Sequence, residues 1–489
     1  MLQTFQKSYK LFIFLILTGL LNFLMMPREF YRGDSASIKL SAINLIKNHD
    51  FGIDINKFPI DKGLLKNDGQ YFHLNQEKNK YFNRWGFFVT LLFAVPEYFN
   101  QTSNYLGLTI GSIFNHNIFN ILISLGIFFY LFQILSKYSS LFYSKIIFVL
   151  SVMYSTYLLN YLRAQSYEIF QVFLFLVFFK SFIDFLDSKN PKFLYLSLFF
   201  LGLLVLVKDF YFCVYLPLFV YLIYYRESIG KRSIVYSLLS FFIILSLVLM
   251  ANKLQFGSFM KEAKLLPEDP GFISFSASFV PLRLFDYFLS MRFSFFIYAP
   301  ILLFVFLGIR IFCQKFMRDY VFVLITFFTS LIILLPFFSM GEWCYGPRFF
   351  VFLIPLLCLP LISLLDTFFD PNNVRFENKL MGLAFFALIS YSTYLQFQFN
   401  SRSFFLKHEL QLFFADFKQD SVTDYFDNIP SHIIVSDFNS YLSGNKSFYP
   451  VSVVSKDKVE YQAIVENMLS GFCTKKCYCN YYFKFLCAQ

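Results

Sequence analysis

Eleven apolar runs fill the first 397 residues of this 489-residue chain, and the charges between them limit its fold more than any other feature. A helix that crosses a bilayer needs roughly 17–25 mostly apolar residues, because its backbone polar groups must be satisfied within the segment. The runs are 9–26, 117–135, 146–161, 169–185, 193–207, 210–225, 234–251, 293–309, 321–338, 349–369 and 380–397. With the N-terminus inside, the inner loops hold Lys137 and Lys145, then Lys189 and Lys192, then Arg226, Lys231 and Arg232, then Arg310, Lys315 and Arg318, and last Arg375 and Lys379. The short outer loops hold Arg163, Lys208 and Arg348. Basic residues retained on the cytoplasmic side produce this asymmetry. The segment 86–99 is apolar but short, with Pro96 and Glu97 near its end, and is read as an interfacial or re-entrant helix. Counting it as a span would put every later basic loop outside. The first run has Lys7 before it and Lys10 at its start, and Met26-Pro27-Arg28 is a poor cleavage site, so a retained anchor is expected.

Composition agrees. The chain is 57% hydrophobic and 15% charged, where a soluble chain carries about 25% charged residues. A net charge of +11 would point a soluble protein toward nucleic acid. Here the basic residues sit in short loops and hold topology, so no nucleic-acid partner is expected. Cys213 and Cys358 lie in apolar runs, Cys313 and Cys344 in loops, and Cys473, Cys477, Cys479 and Cys487 crowd the C-terminus. Outside the membrane those four would form disulfides, with a zinc site as the alternative.

The expected fold is an all-α polytopic membrane protein of about eleven transmembrane helices, with interfacial helices in the outer loop 27–116. A transmembrane domain would span 1–397, followed by a small α/β extracytoplasmic region over 398–489. In that tail, 433–436 and 449–454 read as strands and 460–469 as a helix.

The outer loop offers the first candidate for chemistry. Over 35–48, Ile38, Ala42, Leu45 and Ile46 share one helical face and Lys39, Asn44 and Lys47 the other. Such a helix lies along the bilayer surface. Asp34 stands just before it, as an N-cap or as a general base near the headgroup plane. The two tryptophans, Trp85 and Trp343, lie at outer boundaries, as anchors or as faces for a sugar ring. There is no P-loop, no G-x-G-x-x-G and no H-E-x-x-H. A nucleotide-sugar donor in a Rossmann domain is therefore not expected.

Five stretches share an order and a common outer placement. Gly33-Asp34 precedes the amphipathic helix and His49-Asp50-Phe51-Gly52. Tyr81-Phe82-Asn83-Arg84-Trp85-Gly86 runs on to Ala94-Val95-Pro96. Phe256-Gly257-Ser258-Phe259-Met260-Lys261-Glu262 follows, then Leu282-Arg283-Leu284 through Phe296-Ile297-Tyr298-Ala299-Pro300, then Trp343-Cys344-Tyr345-Gly346-Pro347-Arg348. In this order the chain resembles the GT-C superfamily of membrane glycosyltransferases, nearest to bacterial relatives of protein O-mannosyltransferase and lipid A aminoarabinose transferase. It departs from their pattern at Arg84-Trp85, where Pro-Pro is usual, and at Phe259, where Pro is usual.

The resemblance implies an inverting glycosyltransferase in the bacterial inner membrane, with its active site on the extracytoplasmic face. Its partners would be a polyprenyl-phosphate sugar donor, membrane lipids and an extracytoplasmic lipid, glycan or protein acceptor. It implies that Asp34 is the catalytic base and Glu168 a second catalytic acidic residue. Together these two would hold a divalent cation (Mg or Mn) or orient the acceptor. A phosphate leaving group needs positive charge. Arg84, Arg348, Lys208 and Arg283 are the donor-phosphate candidates, with Arg163 and Arg292 also on the outer face. The alternative function is transport or flipping of a lipid-linked saccharide. That class should show inverted repeats and charged, broken helices at mid-membrane, whereas Lys180 and Asp184 lie near a cytoplasmic end.

Overall fold

The computed structural model describes residues 2–25, 34–54, 72–75, 77–105, 112–259, 279–289, 294–336, 346–369 and 376–401. The tail strands, the tail helix, the four C-terminal cysteines, Arg292 and Trp343 lie outside the described residues.

The described chain is mostly helical. In order come α1 (Leu2–Met25), α2 (Asp34–Asn48), a hairpin of β1 (Phe72–Asn75) and β2 (Lys80–Asn83), α3 (Phe87–Tyr105), α4 (Ser112–Tyr138), α5 (Phe142–Tyr154), α6 (Leu158–Arg163), α7 (Glu168–Ser188) and α8 (Pro191–Val207). Then follow a 3-10 turn (Asp209–Val214), α9 (Tyr215–Tyr224), α10 (Lys231–Phe256), α11 (Phe279–Phe288), α12 (Leu302–Leu334), α13 (Leu361–Phe369) and α14 (Phe376–Ser401).

Among the described residues, five helices are long and apolar enough to cross a membrane: Phe114–Tyr138, Glu168–Ser188, Lys231–Phe256, Leu302–Leu334 and Lys379–Phe397. Tyr9–Met25, Phe142–Tyr154, Pro191–Val207 and Asp209–Tyr224 are shorter apolar segments. The helices differ in what surrounds them. The apolar window of α7 is 83% buried and that of α10 11%. On α10, Leu239, Phe242, Ile243 and Met250 are more than half exposed. A water-soluble bundle would bury such a face, whereas lipid solvates it without penalty. The helix that opens with Glu168 is thus enclosed by protein, and α10 faces outward.

The longest helix is two. Within α12, Phe316 leaves the helical region (φ −129, ψ 28). A straight rod would put Phe327 about 37 Å from Leu302, at about 1.5 Å per residue. Phe295–Tyr298 is a helical turn, so Phe295 can lie no more than about 20 Å from Leu302 even with the chain from Tyr298 fully extended. Its ring centroid is nevertheless 5.5 Å from that of Phe327. The chain therefore doubles back at Phe316, and Phe312 and Tyr320 meet with ring centroids 5.7 Å apart. This is the interval between runs 293–309 and 321–338, where Arg310, Lys315 and Arg318 interrupt the apolar sequence.

Charge separates the two ends of the bundle. At one end Lys137 bridges Asp187 at 2.6 Å and Asp319 at 2.7 Å, and Arg318 binds the same two carboxylates at 2.6 and 2.8 Å. Ser139 Oγ donates to Asp366 at 2.7 Å, adding α13 to the same end. At the other end Arg163 Nε donates to Met25 O at 2.7 Å. The β-hairpin reaches the C-terminus of α10 there, with Asn75 Nδ2 on Gln255 O at 3.2 Å and Lys78 Nζ on Leu254 O at 2.8 Å. These contacts satisfy carbonyls that no helical turn follows.

Two readings of the first loop change in the fold. The segment 86–99 is helical but continues through Pro96 to Tyr105. Asn44, assigned to the polar face of its helix, is buried, and its amide donates to Asp50 O at 2.7 Å and Gly52 O at 3.0 Å. The chain turns back sharply after α2, with His49 at φ 53. The Asn44 side chain closes that turn, a local competition that helical periodicity does not encode.

Candidate functional site

Glu168 is the first residue of α7 and is 1% exposed. A carboxylate at a helix N-terminus is favoured by the unpaired N–H groups there. Its Oε1 accepts from Arg348 Nε, and Arg348 Nη2 donates to the Tyr167 hydroxyl at 2.7 Å. Two aromatic faces flank the guanidinium: its carbon is 5.3 Å from the Tyr167 ring centroid and 6.0 Å from that of Trp85. Trp85 and Tyr167 lie 5.5 Å apart. The Lys208 ammonium sits 3.9 Å from the Phe349 ring centroid and 5.9 Å from that of Tyr167. Such contacts hold cations by the negative ring face while leaving their charge in place.

Three breaks in the chain bring these side chains together. Lys208 is extended (φ −157, ψ 122), where α8 stops and the 3-10 turn begins. Gly86 lets β2 and its turn press against the end of α8: a Cβ there would lie 2.8 Å from Leu206 O. That approach sets Trp85 in place. Gly346 has φ +68, and a Cβ on it would meet Tyr157 Cγ at 3.0 Å. The turn it makes is fixed further by the Tyr157 hydroxyl on Pro347 O at 3.3 Å, and it delivers Arg348 to Glu168. Gly346→Ala should therefore lower stability by at least about 1 kcal/mol, since an L-residue is strained at that φ. It should also loosen the Glu168–Arg348 pair. Thermal unfolding of the detergent-purified variant measures the first effect.

One turn further along α7, Gln171 Oε1 accepts from the Tyr211 hydroxyl at 2.5 Å. Glu168 Oε2 and Gln171 Nε2 have no hydrogen-bond partner among the described residues. The enclosed start of α7 is thus a polar lining inside an apolar bundle.

The remaining expected residues are placed as follows. Asp34 opens α2, and its side chain lies outside the described set. Arg84 is half-buried in the turn after β2, next to Trp85. Arg283 is 2% exposed, and its Nη1 donates to Asp286 Oδ2 at 2.8 Å, three residues along α11. Arg163 tethers the end of α1. The structure therefore brings Glu168, Arg348, Lys208 and Trp85 together, while Arg283 pairs with Asp286 on its own helix. Tyr167, Gln171, Tyr211 and Phe349 join the cluster without having been singled out. A lone amide such as Gln171 inside an otherwise apolar run was the available signal for one of them.

A cation held by Asp34 and Glu168 would use a side chain outside the described set, that of Asp34. Among the described residues no group of three or more His, Cys, Asp and Glu side chains comes together. One oxygen of Glu168 is already held by a guanidinium, which repels a second cation at the same carboxylate.

No protein-family model matches this chain, and no curated protein matches it.

Proposed function

We propose that this protein is an integral membrane glycosyltransferase that moves a sugar from a polyprenyl-phosphate donor to a hydroxyl acceptor outside the cytoplasm. One observation carries the reading. Arg348 and Lys208 converge with the faces of Trp85, Tyr167 and Phe349 at the end of the bundle opposite the Lys137–Asp187–Arg318 network. Cations beside aromatic faces suit a phosphate joined to a sugar. On this reading the chain crosses the bilayer eleven times, with the two halves of α12 counted separately and 348–369 as one crossing.

In the reaction the acceptor oxygen forms a bond to the anomeric carbon from the face opposite the phosphate. The bond from that carbon to the phosphate oxygen breaks, and its electron pair leaves with the polyprenyl phosphate. Asp34 takes the acceptor proton. The departing phosphate gains a negative charge, which Lys208 and Arg348 stabilise, with Arg84 alongside. Glu168 and Tyr167 hold the guanidinium plane in one orientation, so little reorganisation is needed as that charge develops. The lipid chain lies along the apolar outer surface.

The test is transfer from labelled polyprenyl-phosphate sugars by purified protein in liposomes. Labelled glycoside and free polyprenyl phosphate should appear together. Movement of the intact lipid-linked sugar across the bilayer with no glycosidic cleavage would replace the transferase by a flippase. Sidedness has its own check. A cysteine at Lys315 should react with a membrane-impermeant maleimide only from the cytoplasmic side, and one at Lys78 only from the outer side. The reverse pattern ends the proposal.

A further inference from the structure

A second buried cluster lies outside the site just described. Lys39 of α2 is 3.7 Å from Glu97 Oε1 on α3, and the same oxygen is 2.8 Å from His116 Nε2 on α4. Glu97 is 5% exposed and His116 4%. Beside His116, Asn117 Oδ1 accepts from Gln165 Nε2 at 2.5 Å. Gln165 stands in the turn that leads into α7, and the neighbouring Ala164 carbonyl accepts from Asn120 Nδ2 at 2.7 Å. A run of polar contacts thus joins the helix that begins with Asp34 to the turn before Glu168.

The attachment of α2 makes this run consequential. Its buried positions are Ser35, Ser37, Ile38, Ser41, Ala42 and Asn44. Ile38 is the one large apolar side chain among them, and a single isoleucine with an alanine provides little apolar area to fix the depth or rotation of a helix. An ion pair in the same interface is directional, and breaking it from one side strands a buried charge. Burial holds the Lys39 amine below its ordinary value, partly offset by the Glu97 carboxylate. The pair is therefore sheltered from solvent screening.

On the reading of Asp34 as base, we infer that Glu97 is a positioning residue: through Lys39 it sets the interfacial helix that opens with Asp34, and through His116 and α4 it ties that helix to the start of α7. Reacting groups lose as much as about 10²-fold in rate for a displacement near 1 Å. Glu97 would thus govern the rate without touching substrate.

Two readouts on the full-length protein test this. Glu97→Gln and Lys39→Met should each lower kcat by about 10–100-fold with the donor KM within about threefold, the signature of lost orientation and not of lost binding. Lys39→Arg keeps the charge and should stay within about threefold of wild type. Hydrogen exchange of peptides from α2 should rise about tenfold or more in Glu97→Gln and Lys39→Met, while peptides from α7 stay protected. Lys39 is half-buried, so Lys39→Met serves if Glu97→Gln does not fold. Unchanged exchange in α2 overturns the inference, as does a Lys39→Arg variant no better than Lys39→Met. Faster exchange in α2 of a protein whose wild type transfers no sugar would keep the clamp and remove the transferase.

Discussion

Asp34→Asn is expected to lower sugar transfer by about 10²–10⁴-fold, the usual loss when a general base is removed, with the amount of folded protein in the membrane unchanged. The substitution removes the proposed base while keeping a polar side chain of the same shape at the start of α2. Asn is as good as Asp at the start of a helix, so α2, which begins at Asp34, should keep its N-terminus. What Asn cannot do is take a proton from an acceptor hydroxyl. The pH profile adds an independent sign. In wild type the rate should fall as acidification protonates the base, and that acid limb should vanish in the variant. Transfer at the wild-type rate by Asp34→Asn removes Asp34 as base and leaves it simply the first residue of α2.

Long apolar runs and the basic residues between them made most of the bundle legible in the sequence. The turn at Phe316 is the clearest case: Arg310, Lys315 and Arg318 mark it in the sequence, and the fold doubles back there. Local boundaries were less visible, as at 86–99, where Pro96 does not end the helix. Pro removes one hydrogen bond and bends a helix, but packing against α2 and α4 keeps the remainder helical. The site was legible in part. Glu168 and Arg348 are 180 residues apart, and no periodicity links them; the resemblance alone points to Glu168, and the Trp343–Arg348 stretch to Arg348. The Lys39–Glu97–His116 cluster was not legible at all. In the sequence Glu97 stands near the polar end of a short apolar segment, and His116 lies 19 residues on with no motif around it. The contact among them exists only once α2 folds onto α3. Arg283 shows a contact of the legible kind. Asp286 stands three residues away, the spacing at which helical side chains meet, and that local partner was there to be read.

Breaking the Glu168–Arg348 pair from either side is expected to lower stability by about 3–5 kcal/mol, because each partner strands the other in a buried site. Glu168→Ala leaves a guanidinium that is mostly buried, with Tyr167 still accepting one of its hydrogen bonds. Arg348→Ala leaves a carboxylate whose side chain is 2% exposed, eased by the N-terminus of α7. The informative variant carries both Glu168→Leu and Arg348→Met. Apolar replacement of a whole buried pair is often neutral or even stabilising, by as much as about 1–4 kcal/mol. Thermal unfolding of the double variant in detergent should therefore return toward wild type, well above both single alanine variants. Its sugar transfer should not return, since the cation proposed to face the leaving phosphate is gone. A structural pair would behave otherwise: stability and transfer would recover together. Recovery of both in Glu168→Leu/Arg348→Met would assign this pair to the fold alone and leave Lys208 and Arg84 to carry the phosphate.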